Sequence, residues 1–131
     1  MTFLCDTNII SELARSQPNP GVLNWSANVS SITLSVITVE EIFYGLSSKP
    51  NPRIQNWFQE FVKSRCHIIP LTPEIAQRSG ELRGLLRTQG KPRSQADMLI
   101  AATAQIRNLT LVTRNIREFE DCGILLLNPF T

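Results

Sequence analysis

Short apolar runs separated by stretches of helical period constrain this chain more than any other feature. Residues 3–5, 32–35, 67–70, 110–113 and 124–127 are rich in apolar and β-branched side chains, too short for amphipathic helices, and read as strands. Between them, Ile9, Ile10, Leu13 and Ala14 recur at helical spacing, as do Val39, Ile42, Phe43 and Leu46, and then Ile54, Trp57, Phe58, Phe61 and Val62. Asn19-Pro20-Gly21 breaks the first pattern, and residues 22–27 suit a short second helix. Thr38 reads as the cap of the third helix, and Pro50-Asn51-Pro52 as a turn before the fourth. Pro73 opens a helix reaching about residue 88, and Ser94 caps one reaching about residue 107. Strands alternating with helices imply right-handed crossovers, hence a mostly parallel sheet of about five strands in a three-layer α/β/α arrangement. No repeat, low-complexity tract or linker interrupts it, so residues 1–131 read as a single domain.

A chain of 131 residues buries enough surface to need neither disulfide nor structural metal. Cys5, Cys66 and Cys122 are an odd count without CxxC spacing, and are expected to be reduced, inert thiols. No apolar run approaches the roughly 20 residues that span a bilayer, and no export signal opens the chain, so the expected location is the cytoplasm. Net charge is +2, but residues 53–93 carry eight basic against three acidic side chains, giving +5. Ten of the thirteen basic residues are arginine, which suits forked contacts with phosphate. The same stretch also fits an ordinary solvated helix face, aided by an i,i+4 pair of Glu74 and Arg78.

In such sheets, ligands bind outside the carboxyl ends of the strands. Asp6, the segment from Ser35 to Thr38, and Thr113-Arg114-Asn115 all fall there. Asp97 begins a helix that is apolar nearly all round, where an unpaired carboxylate would be costly. It stands three residues after Ser94, so it is either half of a capping box or part of a charged site. Asp6 is open to the same two readings, with Asn8 adding a second polar group at the strand end. On the third helix Glu40 and Glu41 both lie off the apolar face, and periodicity does not choose between them. Carboxylates converging on one edge call for a cation, and oxygen donors without His or Cys suit Mg²⁺ or Mn²⁺. The lone His67 reads as structural, and with it alone no Ser-His-Asp arrangement can form.

Four segments in register resemble the PIN-domain nucleases, in particular VapC-type toxins of bacterial toxin–antitoxin pairs. They are Phe3-Leu4-Cys5-Asp6-Thr7-Asn8-Ile9-Ile10-Ser11-Glu12-Leu13 and Ser35-Val36-Ile37-Thr38-Val39-Glu40-Glu41-Ile42-Phe43-Tyr44-Gly45, followed by residues 96–104 and 111–119. The resemblance implies catalytic and metal-binding carboxylates at Asp6, Glu41 and Asp97, and it selects Glu41 over Glu40. At the family's fourth acidic position this chain has Asn115, with Glu118 three residues later. Thr7, Asn8 and Thr113, with Asn115 and Glu118, would orient ligands or support a second ion. Arg83, Arg87, Arg93 and Arg114 would contact RNA.

The implied activity is Mg²⁺-dependent endoribonuclease, inhibiting translation and growth. The implied partners are an RNA substrate, a VapB-like antitoxin and a second copy of the chain, with no membrane. A haloacid-dehalogenase-type phosphatase is a rival, but it needs an aspartate where Asn8 stands. A PIN-fold module that only binds a protein partner is the other. No glycine-rich loop follows the first strand, which argues against a dinucleotide enzyme.

Overall fold

The computed structural model describes residues 2–131. Strand β1 (Phe3–Cys5) leads into α1 (Thr7–Leu13) and α2 (Pro20–Ala27), and β2 (Ile32–Ser35) into α3 (Val36–Ser48) and α4 (Pro52–Arg65). Strand β3 (Cys66–Ile69) is followed by α5 (Pro73–Thr88) and α6 (Gln95–Ile106). Then come β4 (Thr110–Val112), α7 (Ile116–Phe119), a 3₁₀ turn at Glu120–Cys122 and β5 (Leu126–Leu127).

Helix starts follow the local chemistry. The side chains of Asn19, Asn51, Thr72 and Ser94 each accept a hydrogen bond from a first-turn N–H, satisfying donors the helix cannot. Proline occupies the first position of α2, α4 and α5, where its missing N–H costs nothing.

The sheet has the order β3-β2-β1-β4-β5, and every pairing is parallel, where a mostly parallel sheet was expected. Alternation along the strands divides the core. Leu4, Ile69 and Leu111 face one way, into a layer with Ile75, Leu82, Leu86, Met98 and Ile100 from α5 and α6. Cys5, Leu34 and Val112 face the other way, against Ile9, Ile10, Val22 and Phe58 from α1, α2 and α4. Each fully buried Ile, Leu or Phe contributes roughly 1.5–3 kcal/mol of transfer free energy, so both layers are strongly held. Strand order reverses at β1, between β2 on one side and β4 on the other. The crevice outside the carboxyl ends of β1 and β4 is therefore the switch point of the sheet.

Several expectations need correction. The third helix starts at Val36, because the Ser35 hydroxyl already caps it by accepting from the Ile37 N–H at 3.0 Å. Thr38 instead lies inside the helix, fully buried. Helix α7 and the following 3₁₀ turn were not anticipated, being too short to show a period. The Glu74–Arg78 pair does not form: Arg78 donates to Gln105 Oε1 at 2.6 Å and reaches Glu81 at 3.5 Å. The three cysteines are free, with Cys5 and Cys122 buried and Cys66 half-buried. No helix among the described residues is long and apolar enough to cross a membrane.

Candidate active site

The switch-point crevice is a cavity of about 400 Å³ lined by Asp6, Glu41 and Asp97 together with Thr7, Asn8 and Asn115. Asp6 leaves β1 with its backbone N–H bonded to Val112 O at 2.9 Å, which extends the β1–β4 ladder by one step. Its carboxylate is nearly buried and held from three sides. Oδ1 accepts from the Thr7 N–H at 2.8 Å, while Oδ2 accepts from Thr113 Oγ1 at 2.8 Å and Asn8 Nδ2 at 3.1 Å. Thr113 is fully buried, and its hydroxyl also accepts from the Asn115 N–H at 3.0 Å. Asn8 completes the frame by accepting from the Arg114 N–H at 3.2 Å. Asp6 thus caps α1 and also presents its acid to the cavity, so the two readings of this residue are compatible.

Glu41 and Glu40 separate clearly. Glu40 is exposed, whereas Glu41 is half-buried and accepts from Thr7 Oγ1 at 2.6 Å. The same Thr7 oxygen lies 3.1 Å from the buried Thr38 Oγ1, so this half-buried hydroxyl pair ties α1 to α3 next to Glu41. For Asp97, only half a capping box exists. Its N–H donates to Ser94 Oγ at 3.1 Å, but the reciprocal bond from the Ser94 N–H to the Asp97 carboxylate is absent among the described residues. The acid instead faces the cavity.

Burial pushes the Asp6 carboxyl above its ordinary range, against the pull of Thr113, Thr7 and Asn8. Burial also raises Asp97, and the negative charges of Asp6, Glu118 and Glu41 raise it further, against the Ser94 hydroxyl. Each of these acids is therefore easier to ionise with a cation between them. Among the described residues, no three His, Cys, Asp or Glu side chains stand close enough to hold one ion together. The donors still fit a hard cation that keeps several waters and takes one or two carboxylates directly, as Mg²⁺ does.

The remaining expected residues divide. Asn115 lines the cavity, and its amide makes no capping bond to α7. Glu118 is exposed, 3.6 Å from Arg93, and contributes charge near Asp97 rather than a cavity wall. Arg114 lines the cavity with its guanidinium 4.7 Å over the Phe130 ring. Arg93 is engaged elsewhere, donating to the carbonyl of Glu118 at 3.1 Å. Arg83 and Arg87 border a separate surface hollow with Arg93, away from the acids. His67 is exposed on the edge strand and does not line the acid cavity.

Two contributors had no role assigned from sequence. Glu12 is buried beside the cavity, accepting from the Asn19 N–H at 2.8 Å and from Arg15 at 3.2 Å. Its i,i+4 spacing from Asn8 was a usable signal. Phe130 gave none, because its place depends on how residues 128–131 fold back.

Fold and site together define a small α/β domain with an acid-lined cavity at the carboxyl end of its sheet. The chain belongs to the PIN domain family, whose model matches residues 3–124. It is 31% identical to the VapC ribonuclease Y4jK of Sinorhizobium fredii, over 98% of this chain and 97% of that one. It is 33% identical to toxin FitB of Neisseria gonorrhoeae, over 98% of each. Among solved structures, VapBC2 from Rickettsia felis bound to a DNA fragment from their promoter matches with a TM-score of 0.87 and 30% identity. That match covers the whole of both chains.

Proposed function

We propose that this protein is a Mg²⁺-dependent endoribonuclease, the toxin of a VapBC-type pair, which hydrolyses RNA phosphodiester bonds and thereby inhibits translation and growth. The observation carrying this reading is that the Asp97 carboxylate, unused as a helix cap, shares one cavity with Asp6 and Glu41. Similarity to a VapC ribonuclease and a toxin supports the reaction class.

Asp6 and Asp97 would hold the ion, with Glu41 reaching it through water. When bound, Mg²⁺ (or Mn²⁺) would make water a better nucleophile and offset charge on the phosphate oxygens. Thr113 and Asn8 hold Asp6 Oδ2, the Thr7 N–H holds Oδ1, and the Thr7 hydroxyl holds one oxygen of Glu41. The free Asn115 amide, with Glu118 nearby, is the place for a second ion or for the leaving oxygen. Arg114 is the cavity's RNA contact. Arg83, Arg87 and Arg93 border a separate hollow and would contact a longer stretch of the substrate. Similarity to VapBC2 supports a VapB-like antitoxin as partner. A homodimer and a cytoplasmic location belong to the same proposal.

Purified Asp97→Asn should retain its melting transition and lose Mg²⁺-dependent cleavage of a mixed RNA pool. Cleavage at the wild-type rate would overturn the site. A lower melting temperature with activity intact would return Asp97 to a capping role.

A further inference from the structure

The acid cavity is walled on one side by a segment that contributes no acid. Residues 128–131 fold back onto the start of α2 and are clasped there by one side chain. Asn19 Oδ1 accepts from the Thr131 N–H at 3.1 Å, and Asn19 Nδ2 donates to Thr131 O at 3.1 Å. The backbones approach so closely that a Cβ at Gly21 would come within 2.2 Å of Pro129 O. This clasp holds the Phe130 ring beneath the Arg114 guanidinium at 4.7 Å, an ordinary cation–π spacing. The Arg114 backbone is fixed independently through Asn8.

The two cations at this cavity differ. Arg15 is paired with Glu12 at 3.2 Å, whereas the Arg114 guanidinium makes no salt bridge or hydrogen bond among the described residues. Arg114 and Phe130 also border a second hollow of about 390 Å³, lined by Gln17, Pro18 and Asn19. The stacked pair, together with the Glu12–Arg15 pair, thus borders both the acid cavity and an adjoining trough.

We propose that Arg114, aligned by Phe130, binds the RNA phosphate next to the scissile one, with the neighbouring nucleotide lying in the adjoining trough. This rests on the ribonuclease reading above. A guanidinium suits a phosphate because its planar fork offers paired donors, and an aromatic face beneath it fixes the plane. Phe130 and Asn19 are positioning residues, since they act through Arg114.

The test uses a fluorescent single-stranded RNA on the Asp97→Asn background, so that binding is read without cleavage, over about 50 to 200 mM salt. Arg114→Gln should weaken binding by about fivefold, the upper end for one exposed ion pair. It should also lower the log–log salt slope by about 0.7, the value for one phosphate on a single strand. Phe130→Ala should shift both in the same direction, with Phe130→Tyr restoring them, and Arg114→Lys should keep the slope. With Asp97 intact, Phe130→Ala should raise KM and leave kcat within about twofold, as uniform binding requires. An unchanged slope in Arg114→Gln, or a fall in kcat at constant KM in Phe130→Ala, would overturn the clamp. Absence of Mg²⁺-dependent cleavage by the wild type would refute the ribonuclease reading instead.

Discussion

Replacing Thr113 with valine removes one hydroxyl and nearly nothing else, in a side chain that is fully buried. The lost bond to Asp6 Oδ2 is short, at 2.8 Å, and it favours the ionised carboxylate. Bonds of that kind contribute about 1.5–3 kcal/mol. The Asn115 N–H also loses its acceptor at 3.0 Å, which adds up to about 1 kcal/mol near the surface. The methyl that replaces the hydroxyl returns about 0.8 kcal/mol of apolar burial. The net expectation is a loss of about 2 kcal/mol at neutral pH, or a fall in Tm of about 8 °C for a domain of this size.

The hydroxyl favours the ionised form of Asp6. Its contribution is therefore present while Asp6 is charged and fades as pH falls through the Asp6 pKa. Scanning calorimetry of both proteins, free of divalent ions, should show the gap narrowing between about pH 7 and pH 4. An unchanged Tm at neutral pH, or a gap that does not vary with pH, would refute the role given to this bond. If Asp6 holds Mg²⁺ as proposed, metal affinity should also fall, since losing a residue that orients a metal ligand commonly costs about 10- to 100-fold.

Charging Asp6 and Asp97 without a cation costs stability, because both carboxyls are raised above their ordinary value of 3.8. In EDTA, their contribution should be complete below that value and decline as pH rises through the folded pKa values. Wild-type Tm should therefore lose more than that of Asp97→Asn between about pH 4 and pH 7, and added Mg²⁺ should recover the loss. Equal slopes for the two proteins would count against this. Gly21→Ala should push residues 128–131 off α2, since its Cβ has no room beside Pro129. The Thr131 amide, now bonded to Asn19, should then exchange much faster with deuterium, while amides of β1 and β4 keep their protection.

Much of the fold was legible because caps and prolines mark helix starts wherever they stand alone. Pro73 and Ser94 did so and were read correctly, while Ser35 and Thr38 competed three residues apart. The earlier residue won, leaving Thr38 as a buried hydroxyl against Thr7, a role that only tertiary structure reveals. Asp6 and Asp97 could be singled out because a carboxylate at a strand end or on an apolar helix needs an explanation. Glu41 could not be told from Glu40 by period, since the choice depends on a threonine thirty-four residues away. Arg93 shows the opposite limit: a basic side chain in a polar loop looks free until carbonyls of α7, some 25 residues on, take its donors. Phe130 was hidden because its partner Arg114 meets it only through the return of the chain, whereas Glu12 had a signal in its spacing from Asn8.

The pairing of the first strand with the fourth sets when this cavity can exist during synthesis. Asp6 emerges from the ribosome well before the hydroxyl that orients it, which belongs to Thr113, 107 positions later. At about 5–20 residues per second, roughly 5–20 s pass before its neighbours along β4 can be laid beside it. Until then, β1 lacks its hydrogen-bonded partner on one side and Asp6 has neither Thr113 nor the Val112 carbonyl to hold it. A nascent chain thus carries Asp6 without its frame until β4 has emerged, and the cavity closes only after that.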